Sequence, residues 1–123
     1  MTPGEVVAAL IKANEARDLD AIVALMTDDI VYENVGMGAC TGADEVRALL
    51  GPFYGGADRV AWEVLAQVEQ GDVVMNERVD RFFMPGDKQA EVRVAGYFEV
   101  RDDKVRRWRD YFDTQALMTQ LAG

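Results

Sequence analysis

The spacing of apolar and polar residues changes once along the chain, from a helical period to a strand period. Before residue 50, apolar positions recur three or four apart, which is typical of amphipathic helices. From Val60 to Phe112 they alternate with polar positions, which is typical of strands that bury one face. Helices followed by hairpin-linked strands and one closing helix predict an α+β domain.

Two capping boxes mark the starts of helices. In a capping box, an N-cap hydroxyl and an acidic side chain three residues later each bond the other residue's backbone N–H. Thr2 with Glu5 fits this pattern, and Thr41 with Asp44 fits it again. Helices are predicted over residues 2–16, 18–26 and 42–50, and the glycine-rich residues 51–57 are predicted to form a loop.

The strands are separated by clear turn signals, and Asp113 is the predicted cap of a last helix that runs to residue 121. A curved mixed or antiparallel sheet wrapped around N-terminal helices would form a cone with an apolar interior, as in the fold typified by nuclear transport factor 2. No repeat or linker divides the chain, so a single domain over residues 1–123 is expected. Strands are predicted over residues 30–35, 60–68, 73–83, 90–100 and 104–112.

Charge argues against several classes of partner. The chain has 13 Lys and Arg against 22 Asp and Glu, a formal net charge of −9. Such a surface repels phosphate backbones and anionic headgroups, so neither nucleic acid nor a membrane is an expected partner. There is no apolar run long enough to span a bilayer and no signal segment, and Cys40 is the single cysteine. These features favour a cytoplasmic location.

Histidine is absent from the chain, which narrows the chemistry further. Ser-His-Asp and Cys-His nucleophiles are excluded, and the commonest metal ligand is missing. Acid–base catalysis would have to use carboxylates, tyrosine, lysine or the lone thiol. The chain also lacks CxxC, GxGxxG and GxxxxGK[ST] motifs, so neither a metal nor a cofactor is expected.

Three strands place ionisable side chains on the same face as large apolar ones. A ligand cavity with a few polar anchors has this pattern, but so do solvated cross-strand ion pairs on an open sheet face. Periodicity alone favours the second interpretation. The three sets are Ile30, Tyr32 and Asn34, then Asn76, Arg78, Asp80 and Phe82, and finally Arg106, Trp108, Asp110 and Phe112.

Three short strings change that preference. Val31-Tyr32-Glu33-Asn34, Glu77-Arg78-Val79-Asp80 and Trp108-Arg109-Asp110-Tyr111-Phe112-Asp113 follow one another in this order. Together they resemble the limonene-1,2-epoxide hydrolase family over nearly the whole chain. Residues 36–40 and 51–57 have no obvious match in the family, which leaves the pocket shape and the substrate open.

The resemblance implies five site residues and a role for each. Asp110 would be the general base and Asp80 the general acid, and Arg78 would bridge them. Tyr32 and Asn34 would hold the attacking water. Such a pair can open an epoxide to a vicinal diol in one step, without a cofactor, because one carboxyl takes a proton as the other gives one. From the sequence, the reverse assignment of acid and base stays open.

Apolar side chains near these five residues predict a lipophilic, terpene-like epoxide as substrate, although core packing is the alternative for each one. The resemblance also implies a homodimer, with Trp62 and Tyr97 as candidates for an exposed apolar contact. The expected pocket residues are Ile11, Phe53, Phe82, Val92, Val94, Phe112 and Leu117.

Two other functions fit the same fold. A ketosteroid isomerase or polyketide cyclase could use Asp110 as its base and Tyr32 as its oxyanion donor, but it has no need of Arg78. A non-catalytic carrier of small ligands would keep the pocket alone. Diol formation from terpene or styrene-type epoxides would distinguish the hydrolase from both.

Overall fold

One curved mixed sheet organises residues 1–122, which are the part of the chain described by a computed structural model. The expected α+β arrangement is confirmed, with helices both before and after the strands. In chain order, the elements are α1 (Pro3–Glu15), α2 (Leu19–Ala24), β1 (Met26–Asn34), β2 (Gly38–Thr41), α3 (Ala43–Gly55), β3 (Arg59–Gln70), β4 (Val73–Met84), β5 (Lys88–Arg101), β6 (Lys104–Phe112) and α4 (Thr114–Ala122).

The strand order is β2-β1-β6-β5-β4-β3, and every neighbouring pair is antiparallel except β1 with β6. The parallel pair brings the first long strand beside the last one. Asn34 then lies opposite Asp110, and Tyr32 lies opposite Trp108. Side chains from the two ends of the chain therefore meet on one face in the middle of the sheet.

The first two helix starts form as the sequence predicts. Thr2 Oγ1 accepts from the backbone N–H of Glu5 at 3.1 Å, and the Glu5 carboxylate accepts from the backbone N–H of Thr2 at 2.8 Å. Asp18 caps α2 by accepting from the N–H of Ala21 at 3.1 Å. Within residues 1–122, no helix is both long and apolar enough to cross a bilayer, and no cluster of three or more Cys, Asp or Glu is arranged to hold a metal ion.

The start and the end of α3 both differ from the prediction. Its N-cap is Gly42 at a φ of 84°, a conformation that favours glycine, so Thr41 lies outside the helix. The reciprocal contact comes from Glu45, whose carboxylate accepts from the N–H of Thr41 at 2.9 Å. The predicted loop over residues 51–57 is wrong, because α3 continues through Pro52 to Gly55. Burial of Leu50 and Tyr54 on the inner face of α3 outweighs the helix-breaking tendency of proline.

Two strand features lack a periodic signal in the sequence. β1 begins at Met26 rather than at residue 30, and β2 is absent from the predicted strands. β2 is largely exposed, so its four residues do not alternate between apolar and polar. It pairs only with β1 and forms one edge of the sheet.

An irregularity in β6 corrects one predicted face. The register between β5 and β6 shifts between Glu99 and Val100, which moves Arg106 out of the row that contains Trp108 and Asp110. Arg106 instead pairs with Glu99, with 2.5 Å between Nη2 and Oε1. The expectation that Arg106 shares the face of Asp110 is therefore wrong.

The two aromatic residues expected at an exposed contact lie in different places. Trp62 is only 8% exposed and packs edge-on against Trp108, with 6.0 Å between ring centroids, so that expectation is wrong for Trp62. Tyr97 lies on the other face of the sheet, half-buried under the guanidinium of Arg109 at 4.5 Å.

Candidate active site

A cavity of about 230 Å³ lies between the inner face of the sheet, α3 and α4. Its wall is mostly apolar, and α4 closes one side with residues that are only partly buried. Six of the seven expected pocket residues line it, namely Phe53, Phe82, Val92, Val94, Phe112 and Leu117.

The seventh expected pocket residue, Ile11, lies elsewhere. It is buried in the hydrophobic core with its neighbours on α1 and does not line the cavity. The helical period correctly indicated that Ile11 faces inward, but it could not tell the core from the cavity wall. Residues that the sequence did not assign to the pocket complete the wall, including Leu49, Leu50, Trp62 and Leu121.

The five polar residues that the resemblance implies come together at one end of this cavity. Tyr32, Asn34, Asp80 and Asp110 line it, and Arg78 lies behind them with no exposed surface. Each side chain projects from the inner face of β1, β4 or β6, as the strand period predicted. An ionisable cluster in an apolar, concave site is the usual arrangement of a small-molecule active site.

Arg78 bridges the two aspartates. Its Nε and Nη2 donate to the two carboxylate oxygens of Asp80, each at 3.0 Å, which is a bidentate pair. Nη2 also donates to Oδ2 of Asp110 at 3.0 Å, and Nη1 donates to Oδ1 of Asn76 at 3.0 Å. The planar guanidinium therefore fixes the relative position of two carboxyl groups on different strands.

The second oxygen of Asp110 has its own donor. Trp108 is fully buried and donates from its indole Nε1 to Asp110 Oδ1 at 2.8 Å. Sequence reasoning placed Trp108 on the face of Asp110 but gave it no role. Trp108 and Asp110 are two positions apart on β6, so their side chains lie on the same face of the sheet. This spacing was the sequence signal for a contact between them.

Tyr32 and Asn34 form a polar pair beside Asp110. The Tyr32 hydroxyl donates to Asn34 Oδ1 at 3.2 Å. The hydroxyl oxygen of Tyr32 and the amide N–H groups of Asn34 retain the capacity to bind a small polar molecule. Because Asn34 is the register partner of Asp110, such a molecule would lie within reach of the Asp110 carboxylate.

Burial changes the acidity of both aspartates. It raises the pKa of Asp80 to about 6, although hydrogen bonds and charge from Arg78 act in the opposite direction. Burial also raises the pKa of Asp110, again against the effect of Arg78 and of the Trp108 N–H. Two carboxylates and one guanidinium would leave a net negative charge in an apolar site, so a single shared proton is favoured.

Arg78 and Tyr32, which adjoin the two aspartates, each keep their proton. Burial lowers the pKa of the Arg78 guanidinium, but the two carboxylates outweigh that effect, so its pKa lies above the ordinary value. Burial raises the pKa of Tyr32, and the negative charge of Asp110 raises it further. Arg78 therefore stays charged and Tyr32 stays protonated over the pH range in which the aspartates titrate.

A second polar pair lies in the wall, outside the residues that the sequence singles out. Tyr54 lines the cavity, and its hydroxyl donates to Oδ1 of the fully buried Asn14 at 2.5 Å. Asn14 Nδ2 in turn donates to the Leu10 carbonyl at 2.9 Å. The signal was an asparagine at a position of α1 where the helical period predicts an apolar residue. Burial also raises the pKa of the Tyr54 hydroxyl, which stays protonated.

Known proteins match this chain along nearly its whole length. The family model of the limonene-1,2-epoxide hydrolase catalytic domain matches residues 1–123. Epoxide hydrolase EphG of Mycobacterium tuberculosis is 37% identical over 117 residues, which cover 94% of this chain and 76% of EphG.

Solved structures agree with the sequence comparison. The structure of an LEH-like epoxide hydrolase of Mycobacterium tuberculosis superposes with a TM-score of 0.83 at 31% identity, covering 96% of this chain and 87% of that one. An NTF2-like protein of unknown function from Burkholderia pseudomallei superposes with a TM-score of 0.87 at 18% identity, and both chains are covered completely. The second likeness confirms the expected fold and carries no information on function.

Proposed function

The chain belongs to the limonene-1,2-epoxide hydrolase family and is an epoxide hydrolase, and from this we propose that it converts a lipophilic epoxide to a vicinal diol in one step, without a cofactor. The observation that carries the proposal is the pair of buried aspartates bridged by Arg78 at the end of an apolar cavity. Such a pair can take one proton and give another in the same step.

Asp110 is the proposed general base. It lies opposite Asn34 in the sheet, next to the polar pair that would hold the water. Tyr32 and Asn34 would orient that water before it attacks a ring carbon, and Asp110 would take its proton. Hydrogen bonds from Arg78 and Trp108 stabilise the ionised form of Asp110, which is the form that a base requires.

Asp80 is the proposed general acid. As the water oxygen bonds to one ring carbon, the bond between that same carbon and the epoxide oxygen breaks, and Asp80 would protonate the departing oxygen. An acid must hold its proton in the resting enzyme, and a pKa raised to about 6 by burial supports that task. The aspartate pair carries one proton before and after the step, so a proton transfer from Asp110 to Asp80 restores the starting state.

The cavity wall indicates the class of substrate. Phe53 and Phe82 meet edge to face, with 5.0 Å between ring centroids, and valines of β5 lie beside them. No Lys or Arg side chain of the described residues lines the cavity, so it offers no cation to an anionic substrate. Together with the volume of about 230 Å³, these features favour a small, uncharged, terpene-like epoxide.

The chain is also proposed to form a homodimer and to be cytoplasmic. The homodimer is supported by a row of apolar side chains that crosses three strands on the outer face of the sheet. In this row, Val68 is 69% exposed, Met75 is 43% exposed and Tyr97 lies beside Met75. Sedimentation of the wild type beside Met75→Asp would test it, because a charge in that row should separate the subunits. The free, partly buried Cys40 fits a cytoplasmic location.

The decisive experiment measures diol formation from a panel of terpene and styrene-type epoxides. Wild type should form the diol, while Asp80→Asn and Asp110→Asn should each lose at least about 100-fold in kcat, because an amide can neither give nor take the required proton. Asp72→Asn, in an exposed turn, is the matched control and should match the wild type. A folded Asp80 or Asp110 variant within tenfold of wild type would refute the two-carboxyl mechanism.

Arg78→Lys tests the bridge itself. An ammonium group cannot donate to two carboxylates through a planar fork, so we expect at least about a 100-fold loss of kcat. Arg81→Lys on the same strand is the control, since Arg81 pairs with Glu63 and Glu91 outside the cavity. Isomerisation of an unsaturated ketone without diol formation would instead favour the isomerase alternative, and ligand binding without turnover would favour a carrier.

A further inference from the structure

The bridge made by Arg78 has to cross a strand. Arg78 and Asp80 belong to β4, whereas Asp110 belongs to β6, and β5 runs between these two strands. In the sheet register, Gly96 of β5 lies opposite Asn76 of β4 on one side and opposite Asp110 of β6 on the other. The guanidinium therefore reaches Asp110 over the backbone of Gly96.

Gly96 leaves the space that this path needs. A Cβ at position 96 would overlap Nη1 of Arg78, and it would lie 2.8 Å from Asn76 Oδ1 and 3.0 Å from a ring carbon of Phe98. Arg78 and Phe98 are both fully buried, so neither can swing away into solvent. The φ of Gly96 is not in the left-handed region, so the backbone itself does not require glycine here. Glycine is required at position 96 because the Arg78 side chain occupies the space where a Cβ would lie.

Asn76 holds the end of the guanidinium that faces away from the carboxylates. Its Oδ1 accepts from Nη1 of Arg78 at 3.0 Å, and its Nδ2 donates to Gln67 Oε1 on β3 at 3.2 Å. Asn76 is itself buried and uncharged, so it adds a hydrogen bond without adding a third anion. The Trp62 ring also packs on the guanidinium, 4.8 Å from Cζ to the ring centroid.

We infer that Gly96 and Asn76 are positioning residues of the epoxide hydrolase: Gly96 provides the gap through which Arg78 bridges Asp80 and Asp110, and Asn76 fixes the guanidinium in that gap while keeping the cluster at one cation and two carboxyls. The inference rests on the proposed function of the aspartate pair. The other titratable groups that face the pair are Tyr32 on β1, Tyr54 on α3 and Glu15 on α1.

The first test is Gly96→Ala. Its methyl group should push the guanidinium away from Asp110, lower kcat at least about 100-fold and move the acidic limb of the pH–rate profile upward, because carboxylates without their cation protonate more readily. Gly55→Ala is the matched control, since nothing lies within 4 Å of a Cβ at that position. A folded Gly96→Ala enzyme with unchanged rate and profile would overturn the role of Gly96.

The second test changes charge without changing volume, so it holds even where Gly96→Ala does not fold. Asn76→Asp would place a third carboxylate on Arg78 and should raise the apparent pKa values of the Asp80 and Asp110 pair by about one. Gln67→Glu is the control, because it adds a carboxylate one residue further out at an exposed position. An Asn76→Asp profile that coincides with that of Gln67→Glu would overturn the role of Asn76.

A readout that needs no substrate separates this inference from the proposed function. Carboxyl carbon chemical shifts from NMR report the protonation of Asp80 and Asp110 directly. Asn76→Asp should move both titrations to higher pH, whether or not an epoxide is turned over. If the titrations move and no epoxide reacts, the proposed function fails while the positioning role stands. If the titrations of wild type and Asn76→Asp are the same, the positioning role fails.

Discussion

Tyr32 stacks on Trp108, with 4.0 Å between ring centroids and 20° between ring planes. The two residues are register partners across the parallel pair of β1 and β6. Trp108 also donates its indole N–H to Asp110. One buried indole therefore orients both the tyrosine that is proposed to hold the water and the aspartate that is proposed to activate it.

Trp108→Phe should weaken the proposed base while keeping an aromatic ring beneath Tyr32. Without the indole N–H, the Asp110 carboxylate loses one of its two donors and its pKa should rise further. A hydrogen bond to a charged group contributes about 1.5–3 kcal/mol, so we expect kcat/KM to fall about 10- to 100-fold. The measurement is a pH–rate profile, whose acidic limb should move upward. Tyr97→Phe, on the outer face, should change neither quantity, and an unchanged Trp108→Phe profile would contradict this role.

The contribution of Asp80 to the free energy of unfolding should decrease as the pH rises. Its folded pKa of about 6 lies above the ordinary value of 3.8, so the folded protein binds more protons than the unfolded chain between these values. The contribution of Asp80 to the free energy of unfolding is therefore complete below about pH 4 and is lost as the pH rises through about 6.

Urea denaturation of wild type and Asp80→Asn at several pH values measures this contribution together with the coupling of Asp80 to Asp110. Glu5, Asp29 and Glu99 have lowered pKa values and act in the opposite direction in both proteins, so their effects cancel in the difference. We expect the stability of wild type relative to Asp80→Asn to fall by up to about 3 kcal/mol from pH 4 to pH 7. A difference that stays constant or rises would show that Asp80 is not protonated in the folded protein.

A single turnover in ¹⁸O-labelled water, with enzyme in excess, should put the label into the first diol. We expect this because Tyr32 and Asn34 are proposed to hold the water that attacks the epoxide, and the chain has no histidine to hydrolyse a covalent ester. An ester route would put a carboxylate oxygen of the enzyme into that diol and leave the label on an aspartate. Peptide mass spectrometry that finds ¹⁸O in Asp80 or Asp110 would rule out the one-step mechanism.

Tyr54→Phe should lower stability by about 1–3 kcal/mol, because it leaves the buried Oδ1 of Asn14 without a donor. Tyr111→Phe is the matched control, since Tyr111 is 46% exposed and should cost little. Thermal unfolding followed by circular dichroism measures both variants. Equal melting temperatures for Tyr54→Phe and wild type would show that water replaces the phenol hydroxyl.

The strands are predictable wherever one face of the sheet is buried. The alternation along β4 and β5 marks both strands to within two residues, and it correctly assigns Asp80 and Val92 to the inner face. β2 gives no such signal because it is exposed, and the end of α3 is missed because burial of Tyr54 outweighs local glycine and proline preferences.

Short strings identified the five polar residues that the structure brings together at the cavity, but they could not identify the residues that hold them in place. Register decides that Gly96 lies between Asn76 and Asp110, and single-strand periodicity contains no register. The irregularity that removes Arg106 from the inner face is likewise a property of two paired strands. The position of Gly96 and the displacement of Arg106 could not be predicted because both depend on pairing between strands.

The parallel pairing of β1 with β6 also has an expected consequence for when the site forms during folding. Short turns join β3, β4, β5 and β6, so these strands pair through contacts that are close in sequence. β1 must instead close on β6 a loop that contains β3, β4 and β5, and the chain entropy lost in that closure should make the step slow. We therefore expect Tyr32 and Asn34 to reach Asp110 late in refolding, and catalytic activity to return only after the amide protons of β3 to β6 are protected from exchange.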